Sequence, residues 1–480
     1  MLNKFTLLSV FVMLPLLCFA QKHDYNWMAG YDNLSADPLL GGFNIGFNIN
    51  PPLVYSEKKK ISLSFYCGVN SDSSGQLVFY TNGISIRDIT HNKMLNGDTI
   101  NPGQDWLDWQ HDSYPNGPFC FALPAPGKHN QYYFFHMAIS TLNEDDVTSP
   151  FYYTIVDMDG NNGLGQVTKK NQVLLPPLKD YIDPVAIKHG NGRDWWIITG
   201  EVQKPILYTF LLDPDGVHGP FTTLMPFQFS GTEYQSINDV SPDGSTYVRA
   251  AGRLGIYIYD FDRCTGTLNN LKAIPFANHN FLCFATVFAP DSKHLYLSSW
   301  ESVMVVDISA TDISASLDTL AYFDGKASPQ EPFVTGFFIP NLGPDGKIYY
   351  ATTNSTVSLH VIHNPNLPGI AADVEQHGFL LPKFNSGTMC QFPNYRLGEW
   401  EGSPCDTLNG QKPGDGFVKS DWYPPAYSKP EGYTLLPPLF KNAKPSGQDP
   451  VYVPNMAELA MKRRDEERRR AEMMLKDEKN

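Results

Sequence analysis

Acidic side chains that could take part in catalysis lie in well-separated segments of this chain. Asp183, Asp239 and Glu331 are examples, and each stands in or beside a stretch typical of a β-strand. Two carboxyl groups can cleave a glycosidic bond when a fold holds them roughly 5 to 9.5 Å apart. The sequence therefore allows such chemistry only if a ring of strands brings these residues to one channel.

Other catalytic signatures are not found. There is no Gly-x-Ser-x-Gly, no phosphate-binding loop and no His-Glu-x-x-His helix. His360 and His363 would lie on opposite faces of a strand, which disfavours a shared metal. Residues 157–163 begin like a calcium loop, but Asn162 and Thr168 stand where Gly and Glu are needed, so we interpret them as a hairpin turn. The sequence predicts neither a cofactor nor a metal site.

The long loop between residues 91 and 120 is a candidate binding loop. It carries Trp106, Trp109, His111 and Tyr114 beside several aspartates, a composition that suits a sugar or peptide surface. Loops of this length are functional or disordered in most compact domains, and aromatic residues disfavour disorder. The alternative is that these rings pack over the strands below them.

The elements that would position these residues are marked by a repeated turn. Residues 241–244, 289–292 and 343–346 each contain a Pro-Asp pair, and each precedes a hydrophobic strand. Proline fixes φ at the first turn position and aspartate caps the turn. The interval of about 50 residues is typical of four-stranded propeller blades. We expect an all-β fold with one β-propeller, of seven blades or alternatively six, whose last blade combines strands from both chain ends.

The regions outside the propeller differ in composition. Residues 1–20 have a positive start, an apolar core and a small residue at the end, which is typical of a signal peptide. The predicted propeller spans 21–400, a proline-rich linker 401–455, and a charged α-helix 456–480. That helix is either solvated or a docking element, and its apolar candidates for docking are Met456, Leu459, Met473, Met474 and Leu475.

Charge and cysteine usage narrow the possible partners and compartment. A net charge of −14 argues against a nucleic-acid partner, because phosphate binding needs clustered Lys and Arg. No later segment is long and apolar enough to predict a transmembrane helix. Six cysteines follow the signal segment, none in a Cys-x-x-Cys pair, and Cys390 with Cys405 are spaced to close a short loop. We expect one disulfide or none.

Several motifs resemble a family of exported propeller proteins from Bacteroidota, over about residues 25–400. The resemblance lies in five segments: 72–83, 156–167, 188–196, 364–369 and 392–398. The turns alone also resemble those of YVTN and WD40 propellers. The resemblance implies export and a propeller fold but no catalytic residues. Members of the family commonly end in a β-sandwich domain for type IX secretion, where this sequence has the linker and helix. A periplasmic, cell-surface or secreted location follows as the expectation.

Two functions are compatible with the sequence. The first is a non-enzymatic module that binds a protein or glycan of the cell envelope through its loops. The alternative is a lactonase-like or glycan-cleaving enzyme that uses acidic residues in the central channel. The missing catalytic signatures favour the first. The sequence leaves the oligomeric state open.

Overall fold

The chain forms a seven-bladed β-propeller, seen in a computed structural model that describes most of residues 21–406 and the backbone of two short strands beyond them. Within residues 21–406, the segments outside the description are 33–36, 64–66, 115–117, 139–147, 179–180, 202–205, 226–236, 277–281, 284, 329–332 and 354. In the described part, twenty-six strands form seven antiparallel sheets, with one short helix, α1 (Gln104–Trp109). The all-β prediction and the count of seven blades are confirmed.

The blades follow one another along the chain. Blade 1 is β1 (Asn26–Gly30), β2 (Gly42–Gly46) and β3 (Leu53–Glu57), and blade 2 is β4 (Gly68–Ser71), β5 (Leu77–Thr81) and β6 (Ile86–Asp88). Blade 3 is β7 (Pro118–Pro124), β8 (Gln131–Ala138), β9 (Phe151–Asp157) and β10 (Gln166–Leu175), and blade 4 is β11 (Tyr181–Lys188), β12 (Trp195–Glu201), β13 (Ile206–Asp213) and β14 (Gly216–Leu224). Blade 5 is β15 (Asp239–Val240), β16 (Thr246–Ala251), β17 (Gly255–Asp262) and β18 (Thr267–Pro275). Blade 6 is β19 (Ala285–Phe288), β20 (His294–Ser298), β21 (Ser302–Asp307) and β22 (Asp318–Tyr322), and blade 7 is β23 (Phe337–Leu342), β24 (Ile348–Thr352), β25 (Ser355–Ile362) and β26 (Val374–Ser386).

The repeated turns connect the first and second strands of their blades, as predicted. The N–H of Gly244 donates to Ser241 O at 2.7 Å, and the N–H of Gly346 donates to Gly343 O at 2.9 Å. Both glycines have positive φ, at 72° and 80°, which is the conformation a side chain would disfavour. The turn at Ser292 is equivalent, with a 3.1 Å bond to Ala289 O. In blades 5 to 7 this turn therefore links the first strand to the second.

The first strands lie innermost and contact one another around the ring axis. β11 contacts β15, β15 contacts β19, and β19 contacts β23. Side chains of these strands therefore face a shared channel, whereas later strands of each blade lie further out. This arrangement is what can bring residues from distant parts of the chain together.

The hydrophobic core is divided among the blade interfaces. Each of the seven junctions between neighbouring blades has its own buried cluster in the described residues. Trp195 and Phe135 pack between blades 3 and 4, for example, and Trp196 and Tyr247 pack between blades 4 and 5. The two tryptophans alternate along β12, so they fill the interfaces on opposite faces of one blade. This alternation explains why blade strands here are apolar on both faces.

The ring closes differently from the prediction. In the described residues no sheet combines strands from the two chain ends: blade 1 comes wholly from the N-terminal side and blade 7 from the C-terminal side. After β26 the chain instead turns inward, because the Asn385 side chain bonds the backbone of Thr388 twice: Nδ2 donates to Thr388 O, and Oδ1 accepts the Thr388 N–H, each at 3.0 Å. Met389 and Phe392 then pack with Trp27 of β1. Side-chain packing, rather than a shared ladder, joins the last blade to the first.

The structure describes only part of the C-terminal region for which the sequence made predictions. Residues 401–406 pack on the propeller, and two strand pairs lie beyond them: β27 (Tyr427–Ser428) parallel to β14 and β28 (Thr434–Leu435) parallel to β18. The signal segment 1–20, the helix 456–480 and most of the linker lie outside the described residues. Among the residues that are described, no helix has the length and apolar character needed to cross a membrane.

Candidate ligand site in the central channel

The central channel holds a cavity of about 440 Å³. Its walls are the first strands of blades 4 to 7 and part of β7, and the segment 391–398 lines one side. The wall residues with polar side chains are Asp24, Asp183, Lys188, Asn238, Asp239, Ser241, Thr286, Asn341, Gln391, Asn394 and Arg396. A volume in the range of about 300 to 1,000 Å³ is usual for small-molecule sites.

The segment 391–398 is fixed across the channel by cationic side chains. Lys188 Nζ donates to Tyr395 O at 3.0 Å, and Arg263 donates to Gly398 O. The guanidinium of Arg396 binds both carboxylate oxygens of Asp24, at 2.6 and 2.8 Å. Burial lowers the pKa of Lys188 to about 8, and its ammonium lies 4.6 Å from the ring centre of Trp195. These contacts hold the segment 391–398 in place as one wall of the cavity.

Asp183 enters the channel through a β-bulge in the innermost strand of blade 4. The pairing of β11 with β12 skips from Ile182 to Val185, so that Asp183 and Pro184 stand outside the ladder. Proline has no N–H to donate, which is why the interruption falls here. Asp183 is 5% exposed, and its Oδ1 has no hydrogen-bond partner among the described residues. Burial raises the pKa of this carboxyl well above its ordinary value.

Asn238, just ahead of β15, lies against Asp183. Its Nδ2 donates to Asp183 O at 3.5 Å, while Asn238 Oδ1 has no partner in the part of the chain that the structure describes. The side chain is 4% exposed. Gln391, on the facing wall, has an unpartnered Nε2. Three residues of the cavity wall, from separate stretches of chain, therefore each carry a buried polar atom without a partner among the described residues: two acceptors and one donor.

Asp239 is the second acidic residue of the innermost strands, and both oxygens of its carboxylate accept hydrogen bonds from the backbone. It accepts the N–H of Phe288 at 2.6 Å and that of Val240 at 2.8 Å. Burial raises its pKa to about 7, although the two N–H donors act in the opposite direction. The structure thus places Asp183 and Asp239 on one channel, as the sequence suggested. Of these two residues, only Asp183 has a carboxyl oxygen without a hydrogen-bond partner among the described residues. Glu331 lies outside the described residues.

The aromatic loop packs largely onto blade 2. Trp109 and Tyr114 are buried with Ile84 and Ala138, at 6% and 0% exposure. Trp106 is half-buried, and its Nε1 donates to Ile84 O at 3.2 Å. His111 is exposed. The rings in this conformation serve mainly as packing, and a binding role for the loop stays a prediction.

His360 and His363 lie in different environments, and residues 157–163 form a turn. His360 is buried, with Nε2 2.7 Å from Thr335 O, while His363 lies on the surface 2.8 Å from Glu375. Residues 157–163 form the hairpin between β9 and β10. Within the described ranges, no group of three or more His, Cys, Asp or Glu side chains is placed to hold a metal ion.

The predicted pairing of Cys390 with Cys405 is wrong. Cys405 forms a disulfide with Cys264, across a sequence separation of 141 residues. The reason is that the channel segment separates the two: Cys390 lies before it beside Cys67, and Cys405 lies after it beside blade 5. One disulfide is present, as expected from the composition.

Comparisons with known proteins find matches among solved structures alone. No protein-family model matches this sequence, nor does any curated protein. Solved structures with a similar fold include a protein from Lactobacillus plantarum, with TM-score 0.43 and 12% identity, which covers 76% of this chain and 98% of that chain. Virginiamycin B lyase from Staphylococcus aureus gives TM-score 0.35 and 10% identity over 63% and 83% of the two chains. An oligogalacturonate lyase gives 0.33 and 13% over 65% and 79%.

Sequence reasoning missed Asn238, Gln391 and the Asp24–Arg396 ion pair. Asn238 directly precedes Asp239, so its position next to a candidate acid was a usable signal. Gln391 and Arg396 carried none, because nothing in the sequence indicates that the segment after β26 turns into the channel.

Proposed function

We propose that this protein is an exported, non-enzymatic propeller that binds a glycan of the cell envelope in its central channel. The observation that supports this most is that three residues lining one cavity each carry a buried polar atom without a partner among the described residues: Asp183 Oδ1, Asn238 Oδ1 and Gln391 Nε2. A buried polar atom without a partner costs about 1 to 3 kcal/mol, so a ligand that bonds all three gains affinity. Hydroxyl groups both donate and accept, and therefore suit this mixed set.

The apolar part of the lining supports the same ligand class. Phe121, Phe288 and Phe392 stand among the polar residues of the wall. A sugar ring presents C–H groups as well as hydroxyls, so it matches a wall of both kinds. Because burial raises the pKa of Asp183, its neutral carboxyl can also donate a hydrogen bond to a ligand hydroxyl.

A glycan-cleaving enzyme is the second candidate, favoured by the raised pKa values of two carboxyls in the channel. The other acidic residues of the described lining already bond groups of the protein, and this argues against an enzyme. Asp239 accepts two backbone N–H groups, and Asp24 is held by Arg396. Two-carboxylate hydrolysis needs a second available acid or base, and the described lining offers Asp183 alone. Binding therefore fits the geometry better than turnover.

Export has separate support. The signal-like segment 1–20 and the Cys264–Cys405 disulfide both fit an oxidising compartment outside the cytosol. Whether the chain stays in the periplasm or reaches the surface is open in this proposal. The charged segment 456–480, with Met456, Leu459, Met473 and Leu475, is proposed as a tether to an envelope protein.

The test is binding of residues 21–480 to an array of envelope oligosaccharides, followed by calorimetry on each hit. We expect Asp183→Ala and Asn238→Ala each to weaken binding by roughly tenfold, the equivalent of one buried hydrogen bond. Leu107→Ala and His111→Ala, on the exposed side of the aromatic loop, are the matched controls and keep wild-type affinity. Loss of binding in the controls alone would move the site to the loop. Release of free sugar that depends on Asp183 would replace binding with hydrolysis.

A further inference from the structure

Three buried cysteines meet where the closing segment packs against blades 1 to 3. Cys67, Cys120 and Cys390 are 1%, 4% and 2% exposed. The sulfur atoms of Cys67 and Cys390 are 2.8 Å apart. That distance lies between a disulfide bond of about 2.05 Å and the packing distance of about 3.5 to 4 Å between carbon atoms. The sulfur of Cys120 lies close by, 3.3 Å from where a Cβ on Gly68 would stand.

Hydrogen bonds that do not involve the sulfur atoms hold the segments of Cys67 and Cys390 together. Thr388 Oγ1 donates to Leu63 O at 2.8 Å, and Asn341 Nδ2 donates to Cys390 O at 2.6 Å. Both thiols point at the same acceptor, Met28 O in β1, at 3.5 and 3.6 Å. The two side chains are thus held face to face by contacts on either side of them.

We propose that Cys67 and Cys390 form a second disulfide in the mature protein. It joins the start of blade 2 to the closing segment, across 323 residues of chain. Since Cys405 is bonded to Cys264, the channel wall 391–398 is then flanked by a disulfide on each side. The bond links the closing segment covalently to blade 2, whereas no shared strand ladder closes the ring in the described residues.

The reaction is thiol–disulfide exchange with an oxidised protein thiol oxidoreductase or a small-molecule disulfide. The thiolate of one cysteine attacks the donor disulfide and releases one thiolate. The second cysteine then attacks the mixed disulfide, forms the Cys67–Cys390 bond and releases the other thiolate. The two protons lost by Cys67 and Cys390 are taken up by the released thiolates, so two thiols are oxidised and one disulfide is reduced.

The exchange takes place before the ring has closed. Burial raises the pKa of the Cys390 thiol well above its ordinary value, and a buried neutral thiol is a poor nucleophile. While blade 7 is still docking, both thiols are open to solvent and to the donor. Once formed, the bond is enclosed in the folded ring, so reductant reaches it only when the protein unfolds, as it does during a thermal scan.

The direct test is peptide mapping of the full exported chain, harvested from an oxidising compartment and alkylated under denaturing conditions. We expect a cross-linked peptide pair containing Cys67 and Cys390, lighter by two hydrogen atoms than the two thiol peptides, while Cys120 and Cys283 are alkylated. Recovery of Cys67 and Cys390 both alkylated overturns the proposal. So does a bond from either of them to Cys120.

A second measurement isolates the effect on stability. In the Cys264→Ser/Cys405→Ser background, reductant can act only on the new bond. We expect reductant to lower the Tm of that protein by about 5 °C, because a cross-link over so long a loop restricts the unfolded chain. Adding Cys390→Ser abolishes the response to reductant, and adding Cys283→Ser, another buried thiol, leaves it intact. A Tm that ignores reductant in the background variant contradicts the proposal.

Discussion

The carboxylate of Asp239 in blade 5 accepts the backbone N–H of Phe288 in blade 6 at 2.6 Å. Close to it, Ile237 O accepts the N–H of Thr286 at 3.2 Å and its hydroxyl at 3.0 Å. Neighbouring blades of this propeller belong to different sheets, so these bonds link two innermost strands that share no ladder. An acidic residue of the channel wall therefore also holds the ring together.

Removal of this carboxyl group should loosen the junction of blades 5 and 6. We expect Asp239→Ala to lower the free energy of unfolding by about 2 kcal/mol, because two N–H groups lose their acceptor. Asp239→Asn keeps one acceptor oxygen and should lose less. Urea denaturation of the three proteins measures the difference. Equal stability of the Ala and Asn variants would show that the bonds contribute nothing.

The same residue predicts a pH dependence with a definite sign. Burial raises the pKa of Asp239 from its usual range to about 7, so the folded state favours the protonated form. Its contribution to stability is complete below about pH 4 and is lost as the pH rises through 7. Relative to Asp239→Asn, the wild type should thus lose on the order of a few kcal/mol between pH 4 and pH 8. Parallel curves for the two proteins would contradict this.

The fold could be predicted because its signals are local. A turn such as 241–244 specifies its own conformation, and repetition at a regular interval specifies the blade. Asp183 and Asp239 could be named as channel residues for the same reason, since innermost strands follow from the blade pattern. Ring closure depends instead on contacts between residues more than 300 positions apart, such as Cys67 with Cys390, and no local pattern encodes these.

Prediction of the aromatic loop from its sequence is limited in the same way, although the contacts involved span fewer residues. Composition alone does not distinguish a ring that binds a ligand from a ring that packs on its own fold. Trp109, the last residue of α1, and Tyr114, five residues after it, both pack with Ile84 and Ala138. The direction in which a six-residue helix faces depends on the surface beneath it, which the loop sequence does not contain.

Packing by the loop predicts opposite outcomes for two neighbours on α1. Trp109 is 6% exposed and Leu107 is 55% exposed. We expect Trp109→Ala to lower the free energy of unfolding by about 3 kcal/mol, through lost burial and the cavity that remains. Leu107→Ala should change it by less than about 0.5 kcal/mol. Chemical denaturation gives both values, and a stable Trp109→Ala protein would return this ring to the set of candidate binding residues.

The disulfide predicts an intolerant glycine. A Cβ added to Gly190 would collide with the sulfur of Cys405 and lie 3.0 Å from that of Cys264. We expect Gly190→Ala to lower the free energy of unfolding by about 1 to 3 kcal/mol, the usual effect of overpacking. Gly398→Ala is the control, because nothing lies within 4 Å of its Cβ position. If reductant removes the difference between Gly190→Ala and wild type, the collision with the disulfide is its cause.

His189 predicts that acid weakens the junction of blades 4 and 5. Its Nδ1 accepts the N–H of Asn191 at 3.0 Å, and its Nε2 lies 3.0 Å from Cys264 O, so Nε2 must carry the proton. Protonation of Nδ1 would remove the acceptor for Asn191. Burial lowers the pKa of His189 to about 4, which means that the folded state favours the neutral ring.

The stability that His189 provides is complete above about pH 6.5 and is lost as the pH falls through 4. We expect the wild type to lose about 3 kcal/mol more than His189→Gln between pH 7 and pH 4, because glutamine does not titrate. His111→Gln, at an exposed position, should follow the wild type throughout. Urea denaturation at several pH values, with the disulfide intact, measures all three proteins. If His189→Gln keeps the full acid sensitivity, the acid-labile contact lies elsewhere, and the buried rings of His136 and His360, whose pKa values are lowered to about 3 and about 4, become the residues to substitute.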